Sequence, residues 1–235
     1  MIKAIVTGHT RGLGAAIAAE LQSRGIAVLG LARGRSPQAG IEQVELDMAD
    51  PAALGAWLAG GALGDFLVEA GTVLLVNNAG VVTPVGPLAA QDPAAVLRAV
   101  SLNVAAPLAL AAAFAQAAPG AERRILHVSS GAGRNAYPGW AVYCATKAAL
   151  DHHARAVLLD GDSRVRAVSL APGVIDTDMQ AAIRATPDAD FPLRRRFVEL
   201  QETGTLVAPA DCARGVVDYL LAADFGGEPV DDLRG

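Results

Sequence analysis

The chain has 235 residues, enough for one α/β domain with a sizeable core. Hydrophobic residues make up 52% and charged residues 18%, which excludes a disordered chain, and the net charge of −5 argues against nucleic acid as a partner. The two cysteines, Cys144 and Cys212, sit at no metal-ligand spacing, and as free thiols they suit a cytoplasmic protein. Met1 to Val6 is too short an apolar run for a signal peptide. The apolar run "VAAPLALAAAFA" from Val104 contains Pro107 and is too short to span a bilayer, so no membrane partner is expected.

In chain order, strands are predicted at 2–7 ("IKAIVT"), 26–32, 43–47, 72–78, 123–130 and 164–170. Helices are predicted near 13–24, 51–59, 93–117, 141–160, 179–200 and 209–222. Unbroken apolar strands such as "VLLV" are buried on both faces, as in a parallel sheet covered by helices. The alternation implies right-handed βαβ crossovers, hence a doubly wound parallel sheet (a Rossmann fold) in three α/β/α layers, one domain over 1–235. Ligands of such sheets bind beyond the carboxyl ends of the strands. The residues at that edge are Gly8, Arg33, Asp47, Asn77 to Gly80, Ser130, and Pro172 with Gly173.

The first strand runs into "AIVTGHTRGLGAA", with glycines at Gly8, Gly12 and Gly14 rather than at the common G-x-G-x-x-G spacing. Gly8 permits a sharp turn, Gly12 a close approach to a pyrophosphate, and Gly14 close packing of helix on sheet, while the helix N-terminus offers N–H groups to an anion. The alternative is a tight turn without a ligand. NAD-binding folds place an acid near the end of the second strand, but here "LGLARGRS" puts Ala32 and Arg33 there, with no carboxylate between Glu20 and Glu42. Arg33, Arg11 and Arg35 suit a 2′-phosphate instead. Tyr143 and Lys147 are four apart on a helix and share a face. A nearby ammonium and an oxidised nicotinamide ring are expected to lower the phenol pKa, with Ser130 orienting a carbonyl.

With these residues assembled, the sequence resembles the short-chain dehydrogenase/reductase family over essentially its whole length. The T-G-x-x-x-G-x-G motif is Thr7-Gly8 to Gly12 and Gly14, N-N-A-G is Asn77 to Gly80, and "PG" is Pro172-Gly173. The resemblance implies Tyr143 as general acid, Ser130 as substrate orienter, Lys147 on the nicotinamide ribose, and Asn103 holding a water that relays protons. It further implies that Leu13 belongs to the glycine-loop site, Asp47 and Met48 border the adenine, and Asn78, Ala79 and Gly80 line the adenosine side. Val174 and Thr177 would meet the carboxamide and phosphates, and Arg11 and Arg33 match positions marking NADPH-preferring members. Flanking segments such as "PGVIDTDMQ" look most like sepiapterin and benzil reductases, which implies reduction of a small carbonyl or vicinal dicarbonyl. Reduction of a 3-oxoacyl thioester, general alcohol oxidation and a non-enzymatic NADP(H) sensor are the alternatives. Helices bearing Asn103 to Ala118 and Tyr143 usually build a homodimer or homotetramer in this family.

A lid is expected over 176–206, where Met179, Phe191, Leu193 and Phe197 would close on substrate, opposite Tyr137 and Trp140; core packing competes for each. His152 and His153 read as helix surface and Cys144 as a packing residue, and His9 either touches the ligand or serves only the turn. The "RRR" at 194–196 reads as a solvated face, and no metal ligands are expected.

Overall fold

The computed structural model describes residues 1–235. Seven strands form one all-parallel sheet in the order β3-β2-β1-β4-β5-β6-β7. They are β1 (Ile2–Thr7), β2 (Ala27–Ala32), β3 (Glu42–Glu45), β4 (Thr72–Asn77), β5 (Glu122–Val128), β6 (Val165–Ala171) and β7 (Val230–Asp232). The order reverses between β1 and β4, the switch point where such sheets open a crevice.

The period of two along each strand divides the core between the two faces. Ala4, Val6, Leu74, Val76, Leu126 and Val168 face α1 (Gly12–Ser23) and α9 (Pro209–Leu221). Ile5, Val73, Leu75 and Ile125 turn the other way, onto α2 (Pro51–Ala59), α3 (Ala62–Leu67), α5 (Ala106–Ala117) and α6 (Ala141–Leu159). An unbroken apolar strand is thus shared by two cores, as the doubly wound prediction requires.

Two Asp-Pro pairs start helices. Asp50 accepts from the Ala52 and Ala53 amides at 2.9 and 3.2 Å, and Asp92 does the same for α4 (Pro93–Val100), each with proline at the first helical position. The helix predicted at 93–117 is continuous but contains a π-helical turn at Ser101–Ala105 between α4 and α5. At 25 residues it is long and apolar enough to cross a membrane by those criteria alone. Leu110 and Phe114 are nonetheless buried on the sheet.

Three expectations need correction. The helix expected at 179–200 is two, α7 (Asp178–Ala185) and α8 (Arg194–Glu202), parted by a segment containing Pro187 and Pro192, which cannot continue a helix. The short α3 and the edge strand β7 escape detection, because one is six residues long and the other reads "VDD". Strand β5 ends at Val128, leaving Ser129 and Ser130 in the following turn.

Candidate active site

At the carboxyl edge of β1, Gly8 and Gly12 adopt left-handed φ of +69° and +55°. Gly14 is required for another reason. A Cβ there would overlap the Gly8 carbonyl oxygen and Asn78 Nδ2, and would lie 2.9 Å from the Gly8 carbonyl carbon. Thr7 secures the approach: its hydroxyl accepts from the amides of Asn78 and Ala79, each at 2.9 Å, and its carbonyl from Asn78 Nδ2 at 2.9 Å. The first turn of α1 holds no acid, and Arg11, extended at the N-cap, gives no side-chain cap. Uncapped N–H groups behind a cradle that excludes Cβ atoms fit a dinucleotide diphosphate. Leu13 is buried and holds α1 to the sheet, and Thr177 lies over Gly12, its Cγ2 3.4 Å from where a Cβ would stand.

Around the adenosine end, Arg33 is exposed at the end of β2 and makes no ion pair. Arg11 touches Asp178 at 3.2 Å, both side chains being largely solvent-exposed. Arg35 pairs with Glu45 at 2.6 Å, both side chains being largely exposed. Asp47 reaches Arg98 at 3.4 Å, and the Met48 side chain is buried in the core beneath. His9 does not face the ligand edge: it is fully buried against Gly30 and bonded to Gln43 at 2.9 Å. Gln43 in turn bonds both the amide and the carbonyl of Ser36, so this residue pair shapes the loop that carries Arg33.

The predicted catalytic residues converge. Ser130 Oγ accepts from the Ala132 amide at 3.2 Å and stands near enough to the Tyr143 phenol to favour its ionised form. Lys147 Nζ stands 5.6 Å from the Tyr143 ring centroid and donates to the Val128 carbonyl at 2.7 Å. Asn103 lies in the π turn, and its side chain is fully engaged: Oδ1 accepts from the Val81 amide at 2.9 Å, while Nδ2 donates to Val81 O at 2.8 Å and Thr146 Oγ1 at 3.2 Å. Gly80 fits between Asn103 and Lys147, a Cβ there being 3.3 Å from Asn103 Oδ1 and 3.8 Å from Lys147 Nζ.

In the protein alone, burial sets the phenol pKa. Burial pushes Tyr143 up to about 12, opposed by Ser130, so the protein's own groups keep the phenol protonated. Burial pulls Lys147 down to about 8 against the field of Asp151, one helical turn further on. Asp151 itself was missed by sequence reasoning. It is 2% exposed, accepts from Ser129 and Ser169 hydroxyls at 2.7 Å each, and meets Arg134 at 3.5 Å. An Asp in "KAALDHH" carries no signal of burial, because its partners lie on β6 and in the turn after β5, far away in sequence.

Trp140, Phe191 and Phe197 are buried and pack on each other rather than on open space: Trp140 stacks on Phe191 at 4.5 Å and lies 5.3 Å from Tyr143. For these three, core packing is the better reading. Tyr137, Met179, Leu193 and Val174 pack at the margin of that cluster, half-buried, and Cys144 packs there too. Pro172 is buried, whereas Gly173 is partly open with φ +88°. His152 is exposed as expected, but His153 is not simple surface: its Nδ1 is 3.1 Å from Nε2 of buried His127, which also contacts Asn77 at 3.2 Å. Of the "RRR", Arg194 is tied to Asp188 at 2.6 Å, and Arg195 and Arg196 are exposed.

A switch-point crevice with a diphosphate cradle beside a Ser-Tyr-Lys set defines a dinucleotide-linked oxidoreductase. Comparison makes this specific: a model of the short chain dehydrogenases matches residues 3–188, and the chain belongs to that family. It is similar to a benzil reductase, (S)-benzoin forming, of Bacillus cereus (32% identical, covering 94% of each chain), and to the sepiapterin reductase of Mus musculus (34% identical, 97% and 95%). A solved short-chain dehydrogenase/reductase from Burkholderia vietnamiensis is 52% identical, with TM-score 0.72 over 100% of this chain and 97% of that one. The protein is therefore an oxidoreductase of the CH–OH/C=O couple, in a family whose typical cofactor is a nicotinamide dinucleotide.

Proposed function

We propose that the protein is an NADPH-dependent carbonyl reductase whose substrate is a small ketone or, by likeness to the benzil and sepiapterin reductases, a vicinal dicarbonyl. The observation that carries the chemistry is the convergence of Ser130, Tyr143 and Lys147, with Lys147 Nζ 5.6 Å from the Tyr143 ring and the phenol held as an acid by burial. Bound NADPH supplies a hydride to the carbonyl carbon. Ser130 hydrogen-bonds the carbonyl oxygen and fixes it on Tyr143, whose phenol donates its proton to the oxygen as charge develops there. Lys147, buried and cationic below its pKa of about 8, stabilises the resulting phenolate and holds the nicotinamide ribose. Asn103 fixes the Val81 loop and the Thr146 turn, which keeps Lys147 and Gly80 in register.

The NADPH preference rests on Arg33, unpaired where an NAD-type site has an acid, with Arg11 exchanging Asp178 for a 2′-phosphate across a weak surface contact. Gly8, Gly12, Leu13 and Gly14 hold the diphosphate; Asp47, Met48, Asn78, Ala79 and Gly80 flank the adenosine; Pro172, Gly173, Val174 and Thr177 close over the nicotinamide end. Initial rates followed at 340 nm with benzil, sepiapterin and an acetoacetyl thioester, using NADPH and NADH separately, test this reading. Reduction of a dicarbonyl with NADPH favoured over NADH is expected. Turnover of the thioester alone would refute the dicarbonyl assignment, and NADPH binding without any turnover would favour a redox sensor.

A further inference from the structure

The segment after β7 is pinned beside the catalytic edge. The Leu233 amide donates to the Ala171 carbonyl at 2.9 Å, directly before Pro172-Gly173. Arg234 then folds back over Gly173: a Cβ on that glycine would lie 3.4 Å from Arg234 Cδ and 3.8 Å from its Nε. Asp232 holds the guanidinium through Nε at 2.8 Å and Nη2 at 2.6 Å, and accepts from the Arg234 amide at 3.1 Å, so a flexible side chain is fixed in one orientation. Nη1 has no partner, and the side chain remains 60% exposed. The Tyr137 oxygen is 3.7 Å from where a Cβ on Gly131 would stand, next to Ser130. Arg234 thus lies over the Pro172-Gly173 turn that follows β6, at the sheet edge where Ser130 follows β5.

We propose that Arg234, oriented by Asp232 across Gly173, is a specificity-determining residue that donates through Nη1 to the second oxygen of a neutral dicarbonyl substrate. This rests on the carbonyl-reductase reading above and names the part of the substrate that the Ser130–Tyr143 pair does not hold. Charge balance decides for a neutral group over a carboxylate. Two cations, Arg134 and Arg234, face two buried or half-buried anions, Asp151 and Asp232, through contacts of 3.5 Å (Arg134–Asp151), 3.9 Å (Arg134–Asp232) and 2.6 Å (Arg234–Asp232). The alternate residue on β7, Asp231, is turned away and bonded by the Tyr219 hydroxyl at 2.9 Å. Asp151 faces Lys147 as well as Arg134, while the Arg234–Asp232 pair is neutral by itself. A second carbonyl oxygen gains a charged donor there, whereas a carboxylate meets Asp232 as well.

The test compares kcat/KM for 1-phenylpropane-1,2-dione, 1-phenylpropan-1-one and phenylpyruvate in wild type, Arg234→Ala and Arg234→Lys, with NADPH affinity and melting temperature as controls. Losing a hydrogen bond from a charged donor corresponds to roughly a 10–100-fold fall. That fall is expected for the dione with Arg234→Ala and in part with Arg234→Lys, with the monoketone within about twofold and NADPH binding and melting unchanged. An unchanged dione rate, or equal losses on dione and monoketone, overturns the assignment. A selective loss on phenylpyruvate overturns the neutral-substrate class. If wild type reduces the monoketone but not the dione, or neither, the dicarbonyl reading itself falls and takes this inference with it.

Discussion

Gly14 and Gly55 both occupy helices, yet the same substitution to alanine should act on them with opposite sign. At Gly14 the new methyl collides with the Gly8 carbonyl and with Asn78 Nδ2, and Asn78 is itself held by Thr7, so neither neighbour can withdraw. Overpacking of this kind costs about 1–3 kcal/mol, of which the helix propensity gain of Ala over Gly, about 1 kcal/mol, returns only part. At Gly55 in α2 nothing lies within 4 Å of the added Cβ, so the propensity gain stands alone. For a chain of this size 1 kcal/mol moves the melting temperature by roughly 2–4 °C. Differential scanning fluorimetry should show Gly55→Ala melting a few degrees above wild type and Gly14→Ala below it. NADPH titration should show weakened binding for Gly14→Ala alone. A Gly14→Ala protein that melts and binds NADPH like wild type would refute the close approach of α1 to the β4 loop and the cradle built on it.

Arg33→Ser removes a charge-assisted donor without touching the fold, so the Kd for NADPH should rise roughly 10–100-fold while that for NADH stays level; equal changes for both would place Arg33 away from the 2′-phosphate. Burial holds His127 at about 3, far below the ordinary 6.5, so the unfolded chain takes up a proton below pH 6.5 that the folded chain refuses until near pH 3. Stability should therefore fall with pH across that window, by about 1.4 kcal/mol per pH unit for this group. Urea melts of His127→Gln should show a shallower acid slope than wild type, and identical slopes would contradict the assignment.

Much of this was legible in sequence because the signals are local. Strand and helix periods gave the doubly wound sheet, and the glycine loop, Asn77 to Gly80, Ser130, Tyr143 and Lys147 all follow strands or share a helix face. What escaped depends on contacts distant in sequence. Asp151, Ser129 and Ser169 are brought together only when α6 packs on β5 and β6, and His9 looks like a loop residue until Gly30 on the next strand opens space for it. Burial holds the Tyr143 phenol above its ordinary value in the protein alone, and burial is not written in a Tyr-x-x-x-Lys spacing. The packing of Trp140, Phe191 and Phe197 on one another was hidden for a similar reason, since their contacts span distant segments.

In the proposed reaction Tyr143 protonates a carbonyl oxygen as its carbon takes a hydride from NADPH. Incubating the enzyme with 4-deuterated NADPH, of the face that transfers, and benzil, then weighing the benzoin formed, tests this most directly. Wild type should yield benzoin one mass unit heavier with deuterium on the carbinol carbon, and Tyr143→Phe, with NADPH still bound, should yield essentially none. Undeuterated benzoin from wild type, or deuterated benzoin at the wild-type rate from Tyr143→Phe, would contradict the account.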